Sequence, residues 1–360
     1  MARNPRCLYD LPNEILVSIL SGFSTQDLLP LVVVSRRFHS LILRILHFRL
    51  LLAAALPDYK LILEAYHPSK RYSDPYLFCT YLGTDGLSSK HEGKGSLYED
   101  CDGEEGRLAK LGGLYSRFRP ERPGVSGSMP ARRVAGAVLN TASSSTSGTM
   151  PIYADGGDGG FTKVMHTLNL DADELFGQFC AYASLVRLGP RRGVFLSNVH
   201  IVRSGQGVMR VWKQWLQDRA QDLWQQEQEM DSFKMSPTPT TSCPSIGADK
   251  NIMWTDYRKN VGLRVAVRDR NEMLYGNRHT IDLDDMPMTF TIEIQGEFSL
   301  PLPSPSSQSG FTTANCFRAE LVVRTTHLML AVEASTQQQG NISGKALIFG
   351  NFATAASSQS

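Results

Sequence analysis

The sequence predicts an α+β fold: a three-helix N-terminal stretch followed by a mixed α+β region with a largely antiparallel sheet. Three observations predict it. Apolar residues recur at helical spacing between residues 11 and 46, runs of alternating or β-branched and aromatic residues recur from residue 60 onward, and clusters rich in glycine, proline and serine separate those runs. A length of 360 residues leaves room for about two domains, and 42% hydrophobic residues support a substantial core.

The helices open at Leu11-Pro12-Asn13-Glu14. Proline is tolerated in a first turn, where its missing N–H would lack a partner, and Glu14 complements the positive helix start. Ile15, Leu16, Ile19 and Leu20, with Phe23 a turn on, gather on one face, and Gly22 is a C-terminal stop signal. Ser24 and Asp27 have capping-box spacing before Leu28, Leu29 and Leu31, which starts a second helix. Pro30 should break it at Leu29 by removing a hydrogen bond and crowding the preceding turn. Ser35 caps a third helix, whose stripe is Phe38, Leu41, Ile42, Ile45 and Leu46, with Arg37, Ser40, Arg44 and His47 largely off it. A module of under about 50 residues buries too little surface to be comfortably stable alone, so part of its apolar face is expected to meet a partner.

The order Leu11-Pro12-x-Glu14-Ile15-Leu16, Asp27-Leu28-Leu29, then Val34-Ser35-Arg36-Arg37-Phe38 and Leu41 resembles the F-box, which docks substrate receptors on the Skp adaptor of cullin-RING ubiquitin ligases. The resemblance covers residues 8–56, about an eighth of the chain, and its specificity lies in the ordered combination; Pro30 departs from the family pattern. It implies Leu11, Pro12, Ile15, Leu16, Ile19, Leu20, Leu28, Leu31, Val34, Phe38 and Leu41 as adaptor-binding residues. Cullin would be engaged through the adaptor.

Residues 57–353 would then form the substrate-binding α+β region, with flexible insertions at about 88–160, 231–248 and 301–315. Residues 60–66 alternate and residues 76–82 form an apolar and aromatic run, so both read as strands; residues 114–118 are a candidate isolated strand. Asp171 with Glu174 gives a capping-type start, and the spacing of Leu175, Phe176, Phe179, Cys180, Tyr182 and Val186 predicts a helix up to Gly189-Pro190. Residues 194–202 read as a strand. Met209, Trp212, Trp215, Leu216, Leu223 and Trp224 recur at intervals that predict one amphipathic helix carrying three of the four tryptophans toward the core. Further strands are expected at 261–267, 288–300 and 320–323, while periodicity leaves 325–333 open to a helical reading. Tyr76 to Leu87, Leu188 to Gly193, Arg210 to Leu216 and Val323 to Leu328 are similar to the region that follows the F-box in a group of fungal F-box proteins, a resemblance that carries no assigned ligand. No leucine-rich, WD or kelch period is present.

Composition narrows the function classes. A formal net charge of +2, with basic residues spread along the chain, gives no nucleic-acid footprint. Six cysteines without a CxxC pair fit reduced thiols and hence a cytoplasmic or nuclear location, with no metal ligand set. The first ten residues lack the apolar core of a secretory signal, and the apolar run at 50–56 is too short to span a bilayer, so no membrane is expected. Asn341-Ile342-Ser343 matches a glycosylation acceptor that this compartment makes irrelevant.

No GxSxG elbow, HExxH or kinase set occurs, so we expect no catalysis and no cofactor. The glycine-rich run at 155–160 lacks both EF-hand and P-loop spacing and reads as a turn. Arg191-Arg192 reads as a solvated turn and His327 as a satisfied core or boundary residue. The expectation is therefore a non-catalytic substrate-recognition subunit that brings an unidentified protein target to a ligase. The alternatives are a carbohydrate-binding module analogous to phloem-lectin F-box proteins, and an adaptor-binding protein that works outside ligases. One prediction needs only composition: deleting residues 141–160 should lower Tm by less than about 5 °C in a thermal melt, because glycine and serine there cannot bury enough apolar surface to order the segment.

Overall fold

The caps act where the sequence places them. A short 3-10 turn at Leu8–Asp10 leads into α1 (Asn13–Leu20), with Pro12 at its N-cap. In α2 (Thr25–Leu28) the Ser24 hydroxyl accepts the Asp27 N–H at 3.2 Å. The backbone then tightens into a 3-10 turn at Leu29–Val33, the consequence of Pro30, so the second helix ends at Leu28. Ser35 accepts the Phe38 N–H at 3.2 Å and opens α3 (Arg36–Ala55), which closes on Leu56 in the left-handed conformation. The structure, a computed structural model, describes residues 8–70, 76–91, 93–99, 104–121, 164–189, 194–202, 205–232, 246–270, 287–295, 319–341 and 347–348.

The expected stripe of α3 is buried, but so are Leu43, His47, Leu50, Ala53 and Ala54. His47 departs from the sequence reading because Ser88, His91 and Tyr98 cover the second side of the helix: its Nε2 lies 2.7 Å from the Ser88 carbonyl, and its ring meets His91 and Tyr98. Packing on two sides explains why α3 is long and apolar enough to cross a membrane by composition alone, while 56% of its most apolar window is buried within the protein.

The chain then runs through β1 (Tyr59–Tyr66), β2 (Leu77–Thr84), α4 (Glu104–Gly112), β3 (Tyr115–Glu121), β4 (Val164–Leu170), β5 (Phe176–Leu188), β6 (Val194–His200) and β7 (Val208–Trp212). After these come α5 (Lys213–Ser232), β8 (Ile252–Trp254), β9 (Val261–Arg264), β10 (Ala266–Asp269), β11 (Met288–Gln295), β12 (Glu320–Arg324), α6 (Thr325–Asn341) and β13 (Leu347–Ile348). The large curled sheet has the order β13-β6-β5-β1-β2-β3-β12-β9-β8, with β7 also on β5; a smaller sheet runs β10-β11-β4. Every pairing among the described residues is antiparallel. The overall class is thus α+β, with helices first and a largely antiparallel sheet after them.

The two sheets share one core: Leu61, Leu63, Phe118, Phe179 and Leu185 of the large sheet pack in the same cluster as Leu168, Phe290 and Ile292 of the small one. They approach closely at Gly177, where a Cβ would meet Leu168 Cδ2 at 2.1 Å. On one flank α5 contributes Leu216 and Ala220, and α6 adds Leu328 and Ala331.

The α6 helix also belongs to a second core. Its Met329 joins Leu16, Leu20, Leu28, Phe38 and the fully buried Ile42, together with Leu97, Tyr98 and Leu111. Between the two cores, Glu333 of α6 accepts hydrogen bonds from the Thr25 N–H at 3.1 Å, the Thr25 hydroxyl at 2.5 Å and Arg49 Nη1 at 2.9 Å. The second terminal nitrogen of Arg49 donates to the carbonyls of Ser21 at 3.1 Å and Phe23 at 2.5 Å. One carboxylate therefore fastens the start of α2, the middle of α3 and α6 to one another.

Several expectations are corrected. Residues 176–188 form β5, not a helix: Phe179, Ala181, Ala183 and Leu185 alternate toward the core, and the opposite side is partly covered as well, so a strand buried on both faces mimics helical spacing. The Asp171 and Glu174 pair makes a turn, in which Glu174 Oε2 accepts the Asp171 N–H at 3.0 Å and the Glu174 N–H returns to the Asp171 carbonyl at 3.1 Å. Trp212 ends β7, so the tryptophan spacing crosses a strand-to-helix boundary; Trp212 and Trp224 are exposed, and only Trp215 of the three packs against the core.

Within the expected insertion at 88–160, residues 104–121 form α4 and β3, and Leu97 and Tyr98 are buried; residues 122–163, with the glycine-rich run at 155–160, lie outside the described residues. The strand at 115–121 is not isolated, since it pairs with β2 and β12. Of the expected insertion at 231–248, residues 231–232 end α5 and 246–248 form a 3-10 turn, while 233–245, 301–315 and Arg191-Arg192 lie outside the described residues. Residues 261–267 are two strands, because the chain leaves the large sheet after β9 and enters the small one at β10.

The Glu333 contacts generate a stability prediction. Replacing Glu333 by Ala removes three hydrogen bonds from Thr25 and Arg49, although Arg49 keeps the Ser21 and Phe23 carbonyls, and should lower unfolding free energy by about 1–3 kcal/mol. Urea denaturation measures it, and a loss below about 0.5 kcal/mol would remove this contact from the account.

Candidate functional site: an outward apolar face and an adjoining cleft

The start of α1 is held by Arg37, whose Nη2 donates to the Leu11 carbonyl at 2.5 Å and whose Nε donates to Asn13 Oδ1 at 2.8 Å. This contact ties the first helix to the first turn of the third. The residues that the sequence singled out separate into two groups. Leu16, Leu20, Leu28, Phe38 and Leu41 are buried and form the helices' own core. Leu11 and Leu31 are half-buried, packed against that core.

Pro12, Ile15, Ile19 and Val34 face solvent, with Ile15 48% and Ile19 46% exposed. Leu29, Pro30 and Val33 join them, Val33 being 88% exposed, and sequence reasoning did not select these three. The signal that could have found Val33 is Pro30: the 3-10 turn it imposes has a different residue period from an α-helix and leaves none of residues 29–33 buried. On α3, Phe48 and Leu52 are also exposed, one turn apart on the side away from the stripe. Isolated exposed apolar residues need no explanation, but a set drawn from consecutive elements of a small helical unit does.

Beside these helices lies a cleft of about 480 Å³. Four segments line it: α2 through Gln26, the end of β6 and the residues after it, the turn between β8 and β9, and the first turns of α6. The β6 and β8–β9 segments come from near opposite ends of the large sheet, and the first turns of α6 line the cleft with them. Ile201, Val202, Val261 and Ala331 give it an apolar floor, while Gln26, His200, Gln206, Asp256 and Arg258 supply polar groups.

Each wall is fixed by hydrogen bonds. Arg324, the last residue of β12, donates to the carbonyls of Gly112 at 3.0 Å and Arg258 at 2.8 Å and to the Tyr115 hydroxyl at 2.9 Å. The next residue, Thr325, is fully buried; its N–H donates to the Leu114 carbonyl at 2.9 Å. His327 Nε2 sits 2.9 Å from the Ile201 carbonyl, and because a carbonyl only accepts, that nitrogen carries the proton. His327 is thus a bonded boundary residue in the wall of the cleft. No sequence signal predicts the cleft as a whole, since its residues come from parts of the chain far apart.

Burial pushes the Tyr115 hydroxyl pKa up, against an opposing effect of the Arg324 guanidinium. The Cys79 thiol is also pushed up, first by burial and then by the Glu121 charge, which keeps it protonated and poorly nucleophilic. Among the described residues no three His, Cys, Asp or Glu side chains gather to hold a metal ion.

Residues 8–53, which hold this helical unit with its caps and exposed apolar side chains, match the F-box-like family. No curated protein and no solved structure matches the chain. The family match thus speaks for the N-terminal helices, and the sheet region is described by its own geometry.

The division of the singled-out residues into buried and exposed is testable. Leu28→Ala should cost about 3–5 kcal/mol in chemical denaturation, as expected for a fully buried leucine, whereas Ile15→Asp should change stability by less than about 0.5 kcal/mol. Equal losses for both variants would contradict the orientation of α1.

Proposed function

We propose that this chain is an F-box substrate-recognition subunit, which docks on a Skp adaptor through its N-terminal helices and presents a protein target to a cullin-based ubiquitin ligase. The observation that carries this reading is the exposed apolar set on the F-box-like domain. Pro12, Ile15, Ile19, Val33 and Val34 face outward although the core beneath them is already filled by Leu16, Leu20, Leu28, Phe38 and Leu41 together with Leu97, Tyr98, Leu111 and Met329. Burying such side chains against a partner removes apolar surface from water at about 25 cal/mol per Å², so a handful of them can dominate an interface.

On this reading Leu16, Leu20, Leu28, Phe38 and Leu41 act as scaffold for the docking face, and Leu11 and Leu31 complete its border. The protein carries out no chemistry itself. It raises the effective concentration of the target beside the ligase's ubiquitin carrier, work that needs rigid positioning instead of a nucleophile. The scattered cysteines support a cytoplasmic or nuclear location.

Co-precipitation tests the assignment. The double variant Leu11→Ala with Pro12→Ala should lose capture of the purified Skp adaptor while its sheet region keeps the wild-type melting transition. Capture at wild-type yield would sink the reading. Cullin recovered with the wild-type complex supports action within a ligase, and adaptor recovered without cullin would place the protein outside one.

A further inference from the structure

We propose that the cleft between α2, the β8–β9 turn and α6 binds a short acidic peptide segment of the target protein, with an apolar side chain on the cleft floor and an anionic side chain at Arg258. The inference rests on the reading of the chain as a substrate receptor and adds the site and chemistry of capture. A volume of about 480 Å³ suits a few side chains of an extended segment and is too small for a folded surface to enter.

The charge of the occupant follows from which polar groups are already engaged. Asp256 is the one carboxylate among the residues lining the cleft. Its two oxygens accept the Asn260 N–H at 2.8 Å and the Asn260 side-chain amide at 2.6 Å, so it is tied into its own turn. Arg258 differs: its Nε donates to the Tyr257 hydroxyl at 2.9 Å and its guanidinium lies 5.5 Å from the Tyr257 ring centre. Its two terminal nitrogens make no hydrogen bond among the described residues, and the side chain is exposed. A planar guanidinium held along one edge, with its far edge open, is suited to grip a carboxylate or a phosphoryl group.

Lys259, the neighbouring cation, does not line the cleft, and its ammonium is held at the Gly247 carbonyl at 2.6 Å. The floor is apolar, and Tyr257, the one Phe, Tyr or Trp ring among the residues lining the cleft, is committed to Arg258 through both its hydroxyl and its face. These two features favour a peptide that combines an apolar side chain with an anionic one.

Panning a displayed random-peptide library on the full-length chain tests the proposal. Recovered peptides should pair a bulky apolar residue with Asp or Glu. Fluorescence anisotropy with the best peptide should then show at least fivefold weaker binding to Arg258→Glu, a substitution at an exposed site that should leave the melting transition unchanged. A version with Gln in place of the acidic residue should lose binding to the same extent, and a phosphoserine version that binds more tightly would identify a phosphoryl group as the preferred anion. Failure to enrich any peptide, enrichment of sequences without an acidic residue, or less than fivefold weakening with either change would overturn the proposal. Adaptor capture by Arg258→Glu, measured in parallel, keeps the two readings apart: retained capture with lost peptide binding locates the effect in the cleft, whereas a wild-type chain that captures no adaptor counts against the receptor reading and leaves the peptide measurement to stand by itself.

Discussion

The contact between Glu333 and the pair Thr25 and Arg49 is the constraint on which the arrangement of this protein depends. A carboxylate on the last long helix accepts three hydrogen bonds from the first helices, and Arg49 extends the tie to the carbonyls at the end of α1 and the residues after it. Polar groups in such a half-buried setting hold a defined geometry because leaving any of them unsatisfied costs more than the bond itself contributes. Apolar packing on either side supplies the bulk of the attraction, through Met329 toward the helices and Leu328 and Ala331 toward the sheets. With α6 shared in this way, neither core is complete without it.

Much of the N-terminal unit was legible because its signals are local. Ser24 and Ser35 cap helices whose first turns lie within three residues of them, and Pro30 acts on the turn that contains it. The sheet region was read less well where tertiary burial overrode periodicity. A strand covered on both faces has no polar side to betray its period, so residues 176–188 offered enough coincidences at three and four residues to pass for a helix. The tryptophan pattern failed for another reason: a strand that runs directly into a helix keeps no single period across the join at Lys213.

The candidate site divides along the same line. Sequence order pointed to these helices, yet it could not tell side chains that hold α1 and α3 together from those that face away, because both sets are apolar and both follow from one amphipathic pattern. Exposure separates them. The cleft was invisible beforehand except for His327, and that residue is bonded to a carbonyl in the wall. The polar groups that give the cleft its character, Gln26 and Arg258 among them, are ordinary surface residues until the fold brings them together. Gln26 is part of the F-box-like domain, so the cleft is lined by that domain and the sheet region together.

The long separation in sequence between Thr25 and Glu333, 308 residues, has a consequence for how the chain is made. Ribosomes add residues in order at about 5–20 per second, so the first helices emerge roughly 15–60 s before the helix that completes their core. During that interval the face of α3 destined for Met329 has no cover from its own chain, and a chaperone or an early-bound partner is the natural shield for it. A transcript terminated before residue 325 would leave the same face uncovered permanently, which makes such truncated products candidates for aggregation or rapid clearance.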